Sequence, residues 1–128
     1  AFVDFNHNPI TIVPRQRLST RGGEVLKGIV KKDREIIEEV RKVIEKLKPI
    51  GHITLQCMKT SRGIEFIEIN PRFGGGAPIS IKAGANSPVN LYRLLMGENL
   101  EYHENYEDGL FASRHDEAVF LNSKGEVV

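Results

Sequence analysis

Four side chains in the middle of the chain have the types and spacing needed to hold a hard cation against phosphate. Gln56, Glu68, Asn70 and Arg72 sit in or just beyond two runs, His52–Thr60 and Ile64–Asn70, that alternate apolar and polar residues as strands do. Ser61, Arg62 and Gly63 lie between the runs and read as a three-residue hairpin loop with glycine in its last, left-handed position. Thr60 is then expected opposite Ile64. That register sets Cys57 against Ile67 and Leu55 against Ile69 on an apolar face, and Gln56 against Glu68 and Thr54 against Asn70 on a polar one. Magnesium takes oxygen ligands, keeps several waters and shares substrate phosphates, so one carboxylate and two amide oxygens on a rigid strand pair suit it. Two residues of strand rise separate Glu68 from Asn70 by about 6.6 to 7 Å, a span that a pair of phosphate-bridged ions can occupy. Arg72, one period further, can meet phosphate oxygens with its planar fork. The same spacing describes the solvated face of an antiparallel sheet equally well.

A second candidate is the basic, glycine-punctuated stretch Pro14–Gly28, with Arg15, Arg17 and Arg21 ahead of Gly22, Gly23 and Glu24. It has no helical period. Its arginines suit an anion and its glycines let backbone approach a ligand, while the plainer reading is a solvated basic loop. Gly74–Gly76 offers backbone amides to a phosphate but lacks the lysine and the strand-to-helix order of a P-loop, so a turn or a substrate loop is expected. Lys82 reads as an exposed helix lysine. His7 falls in a turn, and His52, His103 and His115 are scattered without ligand spacing, so all four read as surface or structural. Cys57 falls on the apolar face and reads as an inert core thiol.

The elements that must position these groups follow from period and punctuation. Ala1–Phe5 and Pro9–Val13 flank Asn6, His7 and Asn8 and read as a β-hairpin. From Asp33 to Lys48 the apolar residues Ile36, Ile37, Val40, Val43, Ile44 and Leu47 recur at helical spacing, with Asp33 as N-cap, acidic residues early and Lys46 and Lys48 late. Pro49 and Gly51 stop that helix. A short helix is expected around Ile79–Ala83, and Ser87 and Pro88 read as the N-cap and first residue of a helix that Gly97 closes. Glu98–Gly109 reads as polar loop, Leu110–Leu121 carries further strand signals, and Ser123–Gly125 reads as a turn. The expected fold class is α+β: a mainly antiparallel sheet with helices packed on one face and the polar patch on the other.

Bulk properties bound the rest. A chain of 128 residues, 40% hydrophobic and 27% charged, fits one globular domain with a real core. Eighteen basic against seventeen acidic residues leave a formal charge of +1, too balanced to argue for nucleic acid or an anionic membrane. A single cysteine excludes a disulfide framework and fits a reducing cytoplasm, and no apolar run approaches the roughly 20 residues of a membrane span. The chain opens on Ala1 without a methionine and already in a strand, so residues 1–128 are expected to be one domain cut from a longer chain.

Gln56 followed after twelve residues by Glu68, Ile69, Asn70, Pro71 and Arg72 resembles the carboxyl-terminal metal motif of ATP-grasp enzymes, carbamoyl-phosphate synthase large-subunit-like proteins in particular. Phe73–Pro78, then Ala83, Gly84, Ala85, Asn86 and Pro88, and the earlier Arg17, Arg21, Gly22, Gly23 and Glu24, are similar to the same branch, so the resemblance spans most of the chain. It implies a ligase in which ATP phosphorylates a small carboxylate and an amine or thiol then displaces phosphate from the acylphosphate. It assigns Gln56, Glu68 and Asn70 to magnesium, two ions with manganese as a substitute. Arg72, Arg21 and Arg17 are assigned to the nucleotide phosphates, Arg72 and Arg21 also to the transferring phosphoryl group. The family's amino-terminal subdomain, with its lysines and flexible glycine-rich loop, has no counterpart in these residues. The resemblance therefore implies the metal-and-phosphate half of a site, active only in a full-length, cytoplasmic parent, and is compatible with a homo-oligomer. Gly74–Gly76 stands where true carbamoyl-phosphate synthases carry bulkier polar residues, which implies a different acceptor. A degenerate nucleotide-binding module without turnover is the alternative.

Overall fold

The computed structural model describes all residues, 1–128, and is α+β with three antiparallel sheets and three helices. β1 (Phe2–Val3) lies between β2 (Pro9–Thr11) and β5 (Gly51–His52). The β1–β2 turn is the expected one. Asp4 accepts from the Asn6 and Asn8 amides at 2.8 and 2.7 Å, and His7 takes a left-handed φ of 68°.

The stretch Pro14–Gly28 is not a loop. β3 (Arg15–Arg21) and β4 (Glu24–Val30) form a long hairpin, and β8 (Phe111–Ser113) pairs on the outer side of β4. Gly22 and Gly23, at φ 57° and 82°, make a two-residue turn in which both central residues are left-handed, the geometry that matches strand twist and that glycine adopts freely. The Gly-Gly pair between two seven-residue runs was the signal for this hairpin.

β6 (Thr54–Thr60) and β7 (Gly63–Asn70) form the central hairpin, with a difference in register. Thr60 pairs with Gly63 rather than Ile64, because the turn is the two residues Ser61 and Arg62. Cys57 consequently faces Phe66, not Ile67. A bulge then takes up one extra residue on β7, so that Gln56 pairs with Glu68, Leu55 with Ile69 and Thr54 with Asn70. The two one-residue offsets cancel: the expected pairing fails near the turn and holds at the polar patch. Ile67 is turned outward, 59% exposed, while Leu55 and Phe66 pack on the core.

α1 (Arg34–Leu47) covers that core. Asp33 caps it, accepting from the amides of Glu35 and Ile36, and Lys48 ends it in the left-handed conformation. Ile37, Val40 and Ile44 are buried against Val3, Ile12 and Ile53. α2 (Ala77–Lys82) and α3 (Ser87–Leu95) follow, and the cap of α3 is Asn86, whose side chain accepts from the Val89 amide; Ser87 is instead the first helical residue. A second cluster joins Val30, Ala83, Ala85 and Tyr106. Tyr106 lies in the stretch read as polar loop, yet it is buried and donates to the Ile12 carbonyl at 2.9 Å. No helix is long and apolar enough to cross a membrane.

Ile37→Ala removes a fully buried side chain from the face that α1 presents to the strands and is expected to cost about 2–5 kcal/mol. Asp33→Ala removes the cap and is expected to cost about 1 kcal/mol. Urea unfolding checks the order of the two midpoints; an Ile37→Ala loss no larger than the Asp33→Ala loss would contradict this account of the core.

Candidate functional site

Two strand pairs and one loop build the polar face. On β6 and β7 the pairs Gln56–Glu68 and Thr54–Asn70 put four polar side chains on one side of the hairpin. Asn70 Nδ2 donates to Glu68 Oε1 at 2.6 Å, so the two side chains meet rather than standing a full two-residue rise apart. Arg17 reaches over from β3, its Nη2 donating to Gln56 Oε1 at 3.2 Å. Glu68, Arg17 and Arg72 are exposed, and Gln56 and Asn70 half-buried.

Thr54 joins the strands to the glycine loop. Its hydroxyl donates to the Arg72 carbonyl at 3.0 Å and accepts from the Gly74 amide at 3.1 Å. The Arg72 amide donates to the Asn70 carbonyl at 2.8 Å. Gly74 packs closely here: a Cβ would stand 3.0 Å from the Thr54 side chain and press on it. Arg15, which sequence reading left as part of a basic stretch, lies half-buried under the loop, where desolvation lowers its pKa. It donates to the Ser80 hydroxyl, and a Cβ on Gly76 would come within 3.3 Å of its Nε. From far along the chain Arg114 donates to the Gly75 carbonyl at 2.7 Å and to Glu24 at 3.0 Å. No local signal marks Arg114, because its partners lie 39 and 90 residues away.

Arg21 does not join this group. At the tip of the β3–β4 hairpin it forms a two-pronged pair with Asp116, at 2.7 and 2.6 Å, and lines a shallow hollow with Glu24, Arg114 and His115. Lys82 is in the last turn of α2. A cleft of about 290 Å³ opens between β3 and β6, lined by Arg17, Gln56, Asn70 and Arg72 of the polar face, floored by Ile36 and Val40 of α1 and rimmed by Gly74–Gly76.

No three or more His, Cys, Asp or Glu side chains converge anywhere, so a metal held by protein ligands alone does not fit. The donor chemistry of Gln56, Glu68 and Asn70 fits a different demand: one carboxylate and two amide groups beside Arg17, a partial shell for a cation that draws its remaining ligands from phosphate and water.

His52, read as surface or structural, has a structural place next to the loop. Its ring stacks on Phe73 with centroids 4.2 Å apart, and its Nδ1 lies 3.1 Å from the Ser87 hydroxyl. Burial, then nearby positive charge including Arg15, holds its pKa down at about 4.

A family model described as ATP-grasp in the biosynthetic pathway with Ter operon matches residues 2–117, most of the chain. No curated protein matches it.

His52 is neutral in the fold over a range where the unfolded chain, near the ordinary histidine value of 6.5, binds a proton. Its contribution to stability is therefore complete above pH 6.5 and lost as pH falls from there toward about 4. Denaturation measured across this window is expected to show a shallower acid loss in His52→Gln than in wild type, and identical slopes would refute the burial of a neutral ring. Thr54→Val, which removes both loop contacts, is expected to cost about 1–2 kcal/mol and to speed exchange of the Gly74 amide.

Proposed function

Because the chain belongs to the ATP-grasp family, whose function is of the ATP-dependent ligase type, we propose that residues 1–128 are the metal-and-phosphate half of a carboxylate ligase site. The single observation that carries this reading is the pairing of Gln56 with Glu68 and of Thr54 with Asn70, under an arginine that already spans from β3. A merely solvated face has no need of Arg17 on Gln56 or of a glycine loop tied to Thr54.

Gln56, Glu68 and Asn70 would hold magnesium, with Glu68 supplying the negative charge. When bound, the ion neutralises charge on the phosphate oxygens and orients them. The chain's own work is positioning. Arg17 and Arg72 offer planar donors to phosphate oxygens, and they act at the exposed rim where a nucleotide can arrive. Arg72 is steered from behind, since Thr54 holds its carbonyl and Asn70 its amide. Arg21 enters this scheme only if its pair with Asp116 opens, so it is a weaker participant than Arg17 and Arg72.

The reaction assigned to the full-length parent has two steps. A carboxylate oxygen attacks the terminal phosphorus of ATP, the bond to ADP breaks, and an acylphosphate forms. An amine or thiol then attacks the acyl carbon, phosphate leaves with the carbon–oxygen bonding pair, and the nucleophile gives up its proton. No side chain in residues 1–128 forms a covalent bond in this scheme. The carbamoyl-phosphate synthase likeness of the Glu68–Arg72 motif supports the acylphosphate route, and the three glycines at Gly74–Gly76 support an acceptor larger than bicarbonate.

Manganese-induced NMR broadening in the presence of ADP tests the site. Resonances of Gln56, Glu68 and Asn70 are expected to broaden selectively, and Glu68→Gln to remove the effect while Glu24→Gln leaves it. In the parent, Glu68→Gln is expected to lower ATP-dependent turnover by about 10²-fold or more. Broadening that ignores Glu68, together with undiminished turnover, would sink the assignment.

A further inference from the structure

Arg21 already holds an oxyanion, and that oxyanion belongs to the chain itself. Its two terminal nitrogens donate to the two oxygens of Asp116 at 2.7 and 2.6 Å, the parallel fork with which arginine takes a carboxylate or a phosphate. Both side chains are open to water, 63% exposed for Arg21 and 75% for Asp116. Ion pairs so exposed hold weakly, and a partner of higher charge can replace either member.

The segment that carries Asp116 can let go without unravelling the sheet. β8 is paired along β4, and the Arg114 amide extends that pairing by donating to the Leu26 carbonyl at 2.8 Å. Over residues 115–119 no backbone group makes a hydrogen bond, and the pair with Arg21 is the one side-chain tie that Asp116 makes. Arg114, by contrast, is anchored three times: by its amide, by Glu24 at 3.0 Å and by the Gly75 carbonyl at 2.7 Å. Its side chain and that of Arg21 line the same hollow, and Glu24, paired across the hairpin from Arg21, is already engaged by Arg114. When Asp116 leaves, the fork of Arg21 therefore stands free beside a second arginine that does not move.

We propose that Asp116 is an internal competitor at Arg21, a latch that a phosphate group of the nucleotide displaces before Arg21 joins the site. The proposal rests on the reading of Arg21 as a phosphate contact and adds to it how that contact is regulated. The exchange is sorted by charge. A carboxylate tethered to the same chain acts at an effective concentration on the order of millimolar, so a free monocarboxylate below that level replaces like with like and does not displace it. A phosphate group carries up to about twice the charge and a third oxygen, and it can face Arg114 together with Arg21. Asp116 thus keeps Arg21 from capturing the carboxylate substrate and reserves it for the nucleotide.

Pyrophosphate, added without metal at constant ionic strength and followed by NMR at the Arg21 Nε and the Asp116 carboxyl carbon, tests the latch. Both signals are expected to move with one midpoint, while the Arg114 amide, bonded to the Leu26 carbonyl, stays protected from exchange. Acetate at the same concentration is expected to move neither. Asp116→Asn removes the competitor and is expected to tighten pyrophosphate binding about 3- to 10-fold. Adding Arg21→Gln to that variant is expected to erase the gain. An affinity unchanged by Asp116→Asn overturns the proposal, as does a gain that survives Arg21→Gln, since the second result is a general charge effect. An Arg21 signal that ignores pyrophosphate overturns it as well. If Gln56, Glu68 and Asn70 still broaden with manganese and ADP in that case, the latch fails and the metal-and-phosphate reading stands; a working latch beside broadening that ignores Glu68 is the reverse.

Discussion

Everything on the polar face depends on how β7 is laid against β6. A strand has a side-chain period of two, so a slip of one residue would send Glu68 and Asn70 to the opposite face of the hairpin. The two-residue turn at Ser61 and Arg62 creates such a slip, and the bulge at Ile67 removes it. The cost is an isoleucine turned to solvent. The gain is that Gln56 faces Glu68 and Thr54 faces Asn70, with Leu55 and Phe66 on the core side under α1. One irregular residue thus reconciles a tight turn with a core and a polar patch on opposite sides.

The face is held from above by contacts distant in sequence. Arg17 ties β3 to Gln56, Thr54 ties the strand pair to the Arg72–Gly74 backbone, and Arg114 ties the carboxyl-terminal segment to Gly75. Thr54 and Arg15 pack closely over Gly74 and Gly76, so a Cβ at either position would press on a neighbouring side chain. Arginines outnumber carboxylates around Glu68, which is the balance a site for a polyanionic nucleotide and its cation needs. Because the arginines sit at the exposed rim, that balance favours a ligand arriving from solvent or from another part of a larger protein.

The cleft between β3 and β6 and the polar face share residues: Arg17, Thr54, Gln56, Asn70 and Arg72 line the cleft. The cleft is walled by the free edges of β3 and β6 and floored by Ile36 and Val40 of α1. The polar face is shared by two paired strands and borders the cleft along β6.

The sequence by itself determined the elements with strong periodicity and the chemistry they carry. Asp33 and the apolar repeat from Ile36 to Leu47 specify α1; Asn6–Asn8 marks the first turn; the alternation on either side of Ser61–Gly63 specifies the central hairpin; and Glu68–Arg72 carries a motif specific enough to point to the ATP-grasp family, to which the chain belongs. What remained to tertiary structure was everything set by long-range pairing. The β3–β4 hairpin stayed hidden because Arg15–Arg21 carries few apolar residues, and the cap of α3 moved from Ser87 to Asn86. Tyr106 was drawn from a polar stretch into the core, and Arg114 reached a glycine 39 residues away. The bulge at Ile67 belongs to the same class. Its position follows from packing Leu55 and Phe66 under α1 while keeping Gln56 beside Glu68, and a local pattern cannot contain a constraint imposed by three elements at once.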